Sequence, residues 1–142
     1  MRTRLRTALN VVASVACVSA AVAGQSSVPS SQATAFMGTW AFTMTEPAEI
    51  KGSQQIVRVW DNDGVVAASF QIGKFPARNV TGAARDGDML VLTISHKAEP
   101  ALLENGAPIW GVIALTPDGE MMRSALLLEK SATVKRGVAR KQ

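Results

Sequence analysis

Three Asp-Gly pairs divide the chain into short runs that alternate large apolar residues with small or polar ones. The pairs lie in the stretches "DNDG" at 61–64, "RDGD" at 85–88 and "PDGE" at 117–120. An Asp-Gly pair between two alternating runs is typical of a tight β-hairpin, because glycine tolerates the positive φ angle that the turn requires. This punctuation favours an antiparallel, hairpin-connected β-fold.

The runs beside these turns repeat every two residues. Trp40, Phe42 and Met44 are expected on one face of a strand. Such alternation indicates a sheet with one buried face. The sequence predicts eight strands, at 38–45, 54–60, 65–73, 78–85, 88–95, 109–116, 120–129 and 132–140. The longest connection, 96–108, is expected to hold a short helical turn or to fold over one end of the molecule.

Eight consecutive antiparallel strands must either close into a barrel or split into two packed sheets. Hairpin connections favour up-and-down closure, which removes exposed sheet edges. The predicted fold class is therefore all-β, a small eight-stranded antiparallel up-and-down β-barrel. An outer-membrane barrel is disfavoured because the chain has no tyrosine and its outward positions carry Thr, Ser, Gln and Arg.

The first residues are typical of a secretory signal peptide. Arg2, Arg4 and Arg6 precede the apolar run Ala8–Ala21, and Ala21-Val22-Ala23 supplies the small residues of a cleavage site. We therefore expect an exported protein, periplasmic or secreted, with no transmembrane segment in the mature chain.

The chain is accordingly predicted to divide into a signal peptide at 1–24, a flexible leader at 25–35 and a β-barrel domain at 36–142. Cys17, the single cysteine, offers a lipoprotein alternative, but Ser14 stands where that motif normally has leucine. After cleavage the mature chain would contain no cysteine. Its stability would then come from a hydrophobic core rather than from disulfides.

Charge argues against a nucleic-acid partner. Between Gly24 and Val134 the chain carries eight basic and eleven acidic residues, so no basic face is expected to run through it. Four further cations lie near the C-terminus. They are interpreted as a solvated tail, with contact to an anionic lipid surface as the alternative: Lys135, Arg136, Arg140 and Lys141.

Gly38-Thr39-Trp40, at the start of the first predicted strand, resembles the Gly-x-Trp motif of the calycin superfamily, which includes the lipocalins and avidins. The resemblance implies a small β-barrel in which the tryptophan closes one end and a basic residue of the last strand covers its ring. Arg136, or Lys135 beside it, is expected in that role. A cation over an indole contributes about 0.5–2 kcal/mol, and the glycine lets the chain cross beneath the ring.

A ligand site is expected at the mouth of such a barrel. Arg58 and Trp60 are two residues apart, so they are expected on the same face of one predicted strand. Phe70 and Trp110 are large apolar candidates on other strands. These four side chains could grip a small amphipathic molecule. The alternative interpretation is that Trp60 and Trp110 pack in the core and that Arg58 faces water after a one-residue register shift.

His96 is the only histidine, and it lies at a predicted strand end. One histidine without cysteines and without a clustered acid cannot build a zinc site, and "VWDNDG" lacks two ligands of an EF-hand loop, so no metal and no cofactor is predicted. His96 could act as a general base, but the sequence indicates no nucleophile for it.

Three functions are left open by the sequence. The first is an exported, lipocalin-like protein that binds a small apolar or amphipathic molecule without catalysis. The second is a periplasmic or envelope interaction or inhibitor module with a filled barrel, acting through its loops. The third is an enzyme with a site at the barrel mouth that uses His96. A filled interior with exposed apolar side chains on the 96–108 loop would favour the second.

Overall fold

The computed structural model describes residues 27–142, and these form an all-β fold, as predicted. The predicted signal peptide and the lipoprotein alternative at Cys17 lie outside the described residues. Short 3₁₀ helices span Ser30–Gln32, Thr34–Phe36 and Ala48–Ile50. The strands are β1 (Gly38–Glu46), β2 (Gln54–Asn62), β3 (Val65–Ile72), β4 (Arg78–Asn79), β5 (Gly82–Asp86), β6 (Met89–Ile94), β7 (Leu103–Glu104), β8 (Ala107–Pro108), β9 (Gly111–Asp118), β10 (Met121–Leu128) and β11 (Lys135–Lys141).

Nine of these strands form one antiparallel sheet in the order β4-β3-β2-β1-β11-β10-β9-β6-β5. The sheet curls into a half-barrel. Each Asp-Gly pair joins two neighbouring strands of this sheet, and its glycine has a positive φ: 87° at Gly64, 58° at Gly87 and 61° at Gly119. The three hairpins predicted from these pairs are therefore confirmed.

The strand predicted at 78–85 is divided into β4 and β5, which pair with different neighbours. β4 pairs with β3, and β5 pairs with β6. The two connecting residues continue this division, because the Val80 N–H donates to the Ala68 carbonyl (2.9 Å) and the Thr81 N–H donates to the Thr93 carbonyl (2.7 Å). The two outermost strands of the sheet are thus consecutive in the chain.

Two forms were expected for the long connection, and the structure shows the second, in which it folds over one end of the molecule. In place of a helical turn, the segment 96–108 contains the short hairpin β7–β8, in which Leu103 pairs with Pro108. Leu102 is buried in the main core beside this hairpin. The segment therefore packs against one end of the half-barrel.

The core lies on the concave side of the sheet, and the two-residue period predicts its members in β1, β3 and β6. Trp40, Phe42 and Met44 of β1 are all buried. The largest wholly buried side chains form one continuous cluster: Phe36, Phe42, Phe70, Met44, Leu90, Leu92, Ile94, Ile113, Leu115, Met122 and Leu126. Burial of each such side chain contributes about 1.5–3 kcal/mol to the hydrophobic stabilisation.

The predicted flexible leader at 25–35 is corrected by the structure from Val28 onward. Val28, Ala33 and Phe36 are buried in the main core. The Val28 carbonyl accepts a hydrogen bond from the Val66 N–H, and the Ser30 N–H donates to the Gly64 carbonyl, both at 2.9 Å. This segment, 28–36, is apolar at the positions that face the sheet, so it packs as part of the domain.

Because neighbouring strands are antiparallel, the connections fall at two ends of the molecule. The turn end carries the three Asp-Gly turns and the segment 28–36. The loop end carries the longer connections 47–53, 73–77, 95–110 and 129–134.

Candidate functional site

Trp40 lies at the turn end, where β1 receives the segment 28–36. Its side chain is 5% exposed, and its Nε1–H donates to the Phe36 carbonyl at 2.8 Å. Gly38 precedes it with φ at 113°, a conformation that side chains other than glycine rarely adopt. The Gly-x-Trp stretch therefore turns the chain from the buried segment into the first strand.

The predicted cation over Trp40 was placed at the wrong end of the last strand. In the register of β1 with β11, Trp40 lies opposite Lys141, whereas Arg136 lies opposite Glu46. Lys135 is farther still along the same direction. The reason is geometric: in an antiparallel pair the start of one strand meets the end of the other. Lys141 is the nearby cation, and a Cβ added at Gly38 would lie 2.6 Å from its Cε.

The four predicted ligand residues are not brought together. Val57 and Val59 of β2 are buried on the concave side, so Arg58 and Trp60 point outward and are exposed. The Arg58 Cζ lies 5.8 Å from the centroid of the Trp60 ring, which is within cation–π range. Phe70, by contrast, is wholly buried in the core.

Trp110 lies elsewhere again. It is half-buried and packs against a small second cluster formed by Val91, Val112 and Ala114, whose members alternate with the core residues of β6 and β9. The predicted common mouth is therefore absent from the described residues. The alternative interpretation holds for Arg58, which faces outward, but is wrong for Trp60, which is exposed, while Trp110 is only half-buried.

The structure instead brings His96 and Glu129 together at the loop end. The His96 Nε2 and the Glu129 Oε2 are 2.7 Å apart, and the Trp110 N–H donates to the same Oε2 at 3.3 Å. His96 follows β6 and Glu129 follows β10, the two neighbours of β9 in the sheet. These hydrogen bonds hold the ends of three strands together.

The hydrogen bond from His96 lowers the pKa of the Glu129 carboxyl below its ordinary value. The Trp110 N–H and the charges of His96 and Lys130 act in the same direction, while partial burial opposes them. Glu129 is therefore a carboxylate at neutral pH, held in place by directional donors.

A pocket of about 330 Å³ lies beside this carboxylate, between the β7–β8 hairpin and the connection after β10. Its lining combines two carboxylates and one ammonium group with an apolar wall: Glu104, Asn105, Ala107, Pro108, Ile109, Glu129 and Lys130. The volume is at the lower limit for a small-molecule site, which is about 300 Å³. A small amphipathic molecule or the side chain of a partner protein would fit this chemistry.

Within residues 27–142 the His96–Glu129 pair has neither the nucleophile of a hydrolytic triad nor the ligands of a metal site. The only side-chain hydrogen bond that His96 makes there is to Glu129. No group of three His, Cys, Asp or Glu side chains in the described part of the chain could hold a metal ion. The pair is a hydrogen bond that links the ends of β6 and β10.

Two exposed apolar side chains also lie at the loop end. Phe75 is 63% exposed and Leu103 is 56% exposed, the highest values among the described large hydrophobic residues. Their loops are in contact, because the Arg78 Nε donates to the Ala101 carbonyl at 3.1 Å while its Nη1 donates to the Pro76 carbonyl at 3.4 Å. The loop end therefore presents two apolar tips on connected loops.

Sequence reasoning did not connect Glu129 or Phe75 with a site. The available signal was topological. Glu129 directly follows β10, and Phe75 lies between β3 and β4. The direction of these strands places both residues at the same end as His96 and the 96–108 loop. Strand direction, rather than a motif, identifies this group.

Comparison with known protein families, with curated proteins and with solved structures found no match to this chain. In the part of the chain that the structure describes, no helix is long and apolar enough to cross a membrane.

Proposed function

We propose that this protein is an exported interaction module: a small, solid β-barrel of calycin type that contacts its partner through the loop end and carries out no catalysis. The observation that carries the proposal is the combination of a concave side packed with large apolar side chains and two exposed apolar tips, Phe75 and Leu103, on connected loops.

Closure of the sheet into an eight-stranded barrel is part of this proposal. It is supported by the two consecutive outermost strands, β4 and β5, whose linking residues donate to opposite neighbours, Val80 to Ala68 and Thr81 to Thr93. A closed sheet leaves no unpaired edge, which suits a protein exposed to other chains outside the cytoplasm. β4 and β5 would then count as one bent strand.

The filled interior favours an interaction module over an internal carrier. Phe42, Phe70 and Leu92 occupy the space that a lipocalin-like protein would reserve for its ligand, and each is at most 1% exposed. An eight-stranded barrel is just wide enough either to fill itself or to hold one small ligand. These buried side chains therefore support a barrel filled by its own residues over one that holds a ligand inside.

A second candidate function is the binding of a small amphipathic molecule at the loop end. The pocket between the hairpin and Glu129 favours it, because carboxylates and an ammonium lie beside an apolar wall. Native mass spectrometry of the mature protein purified from its own host would reveal such a molecule as a retained mass. A retained mass that Glu129→Gln abolishes would favour this candidate over the interaction module.

The interaction module is tested by photo-cross-linking in the envelope of the native host. A photoreactive residue is placed at Phe75 or Leu103 at the loop end, and the matched control is placed at Val65, a 41% exposed side chain at the turn end. We expect adducts from Phe75 and Leu103 and none from Val65. Adducts from Val65 alone, or none from any position, would contradict the proposal.

A further inference from the structure

We propose that the loop end docks on an anionic lipid surface, with Phe75 and Leu103 inserted among the headgroups. This inference rests on the proposed function, because it names the partner that the loop end contacts. Two features of the described residues support it: the position of the apolar tips, and the distribution of charge between the two ends of the molecule, with cations beside the tips.

The apolar tips have the exposure that an anchor requires. A phenylalanine that is 63% exposed and a leucine that is 56% exposed gain free energy when they leave water for the region between headgroups and acyl chains. The hydrogen bond from the Arg78 Nε to the Ala101 carbonyl connects the loops that carry these two side chains. Two apolar side chains on connected loops offer more area than one loop tip alone.

Cations accompany these tips. The loop "GKFPAR", 73–78, contains Lys74 and Arg78 and no acid, and the neighbouring connections add further lysines: Lys51, Lys97, Lys130 and Lys135. Five glutamates lie at this end too, Glu46, Glu49, Glu99, Glu104 and Glu129, and its seven Lys and Arg side chains outnumber them. Glu129 hydrogen-bonds His96, and Glu46 lies 3.7 Å from the Arg136 Nε. Each lysine near an anionic surface contributes about 1 kcal/mol to binding.

The opposite end of the molecule carries more acids than bases. All five aspartates and Glu120 lie at or beside the three Asp-Gly turns: Asp61, Asp63, Asp86, Asp88 and Asp118 are the aspartates. These six carboxylates exceed the four cations of the same end, Arg85, Arg123, Arg140 and Lys141, of which Arg123 pairs with Asp118. An anionic bilayer would therefore orient the molecule with its loop end inward and its turn end toward water. This orientation is the one that brings Phe75 and Leu103 to the lipid.

The test is co-sedimentation of the mature protein with lipid vesicles. One set contains phosphatidylglycerol mixed with phosphatidylcholine, and the other contains phosphatidylcholine alone. We expect binding to the anionic vesicles that weakens as salt increases, and much weaker binding to the neutral ones. Phe75→Ser combined with Leu103→Ser should weaken binding roughly 10- to 30-fold, and Lys74→Glu should weaken it about tenfold.

Matched controls sit at the other end of the molecule. Val65→Ser removes an exposed apolar side chain there, and Arg140→Glu reverses an exposed charge there. Neither should change the affinity for vesicles by more than about twofold. All variants alter exposed side chains, and an unchanged unfolding midpoint verifies that each one folds.

Equal binding to both kinds of vesicle, binding to neither, or equal weakening by the turn-end controls would overturn the lipid inference. Cross-linking from Phe75 to a protein, without binding to vesicles, would overturn it as well while leaving the interaction module in place. Failure of both the vesicle and the cross-linking experiments would remove the proposed function together with this inference.

Discussion

At the scale of single residues, Trp40 owes its position to the glycine before it and the carbonyl beneath it. Gly38 adopts a φ of 113°, and the Trp40 Nε1–H is satisfied by the Phe36 carbonyl. A buried indole N–H without a partner would cost about 1–3 kcal/mol. The motif therefore fixes the turn of the chain into β1. The aliphatic part of the Lys141 side chain, rather than Arg136, lies beside Gly38 in this turn.

His96 and Glu129 provide a prediction at this scale. His96→Ala removes the largest cause of the lowered Glu129 pKa, so that pKa should rise toward its ordinary value. Carboxyl NMR titration measures the change. Lys97→Ala, at the next residue, is the control and should leave the Glu129 pKa as it is. An identical titration in wild type and His96→Ala would contradict this account.

The same pair makes stability depend on pH in a defined direction. The pKa of Glu129 is lower in the folded protein than in the unfolded chain. The stabilisation that results is therefore fully present above the pKa of the unfolded chain, and it is lost as pH falls through the pKa of the folded protein. Between these two pKa values, the free energy of unfolding of His96→Ala should therefore fall less steeply with decreasing pH than that of wild type, as measured by acid unfolding.

Some residue-scale features could be predicted from the sequence and others could not. The two-residue period of a strand correctly places Arg58 and Trp60 on the same face of β2, but the period alone does not say which face is concave. The burial of Val57 and Val59 shows that theirs is the concave face. The Trp40 partner was misplaced because the strand was considered without its direction. The contact between His96 and Glu129 spans 33 residues, and it exists only because β6 and β10 flank β9.

At the scale of elements, the segment 28–36 acts as a structural strap across the turn end. Its apolar side chains enter the core, and the Arg85 Nη1 donates to the Gln32 carbonyl at 2.7 Å. Arg85 also lies 5.0 Å from the centroid of the Phe36 ring. Its serine-rich composition had suggested a leader, because burial of single apolar residues within a polar segment leaves no periodic signal.

Two phenylalanines test the strap directly. Phe36→Ala should lower the free energy of unfolding by about 3–5 kcal/mol, because it leaves a cavity beneath Arg85 and Trp40. The same change at Phe75, an exposed side chain, should lower it by no more than about 0.5 kcal/mol. Urea unfolding monitored by circular dichroism measures both. Equal effects of the two substitutions would show that the segment is not packed as described.

The strands themselves were largely predictable, and their exceptions have physical causes. Alternation located β1, β2, β3, β6, β9, β10 and β11 within a few residues. The strand predicted at 78–85 changes partner at Val80 and Thr81, because pairing depends on where its two neighbours lie. The β7–β8 hairpin is too short for a periodic signal.

At the scale of the whole molecule, the interior and the two ends differ in packing and composition. The interior is packed with large apolar side chains, which provides stability without a disulfide in the described residues. The turn end is short and acidic, whereas the loop end carries longer connections, lysines and the apolar tips Phe75 and Leu103. This division is the basis for placing recognition at one end of a solid domain.

Hydrogen–deuterium exchange of the protein without its proposed signal peptide, with and without envelope fragments from its host, tests this placement most directly. We expect slower exchange on binding to be confined to the loop-end connections 73–77 and 95–110, with the core strands and the Asp-Gly turns unchanged. Slower exchange centred on the turns, or on the core strands as an internal ligand would produce, would contradict the account.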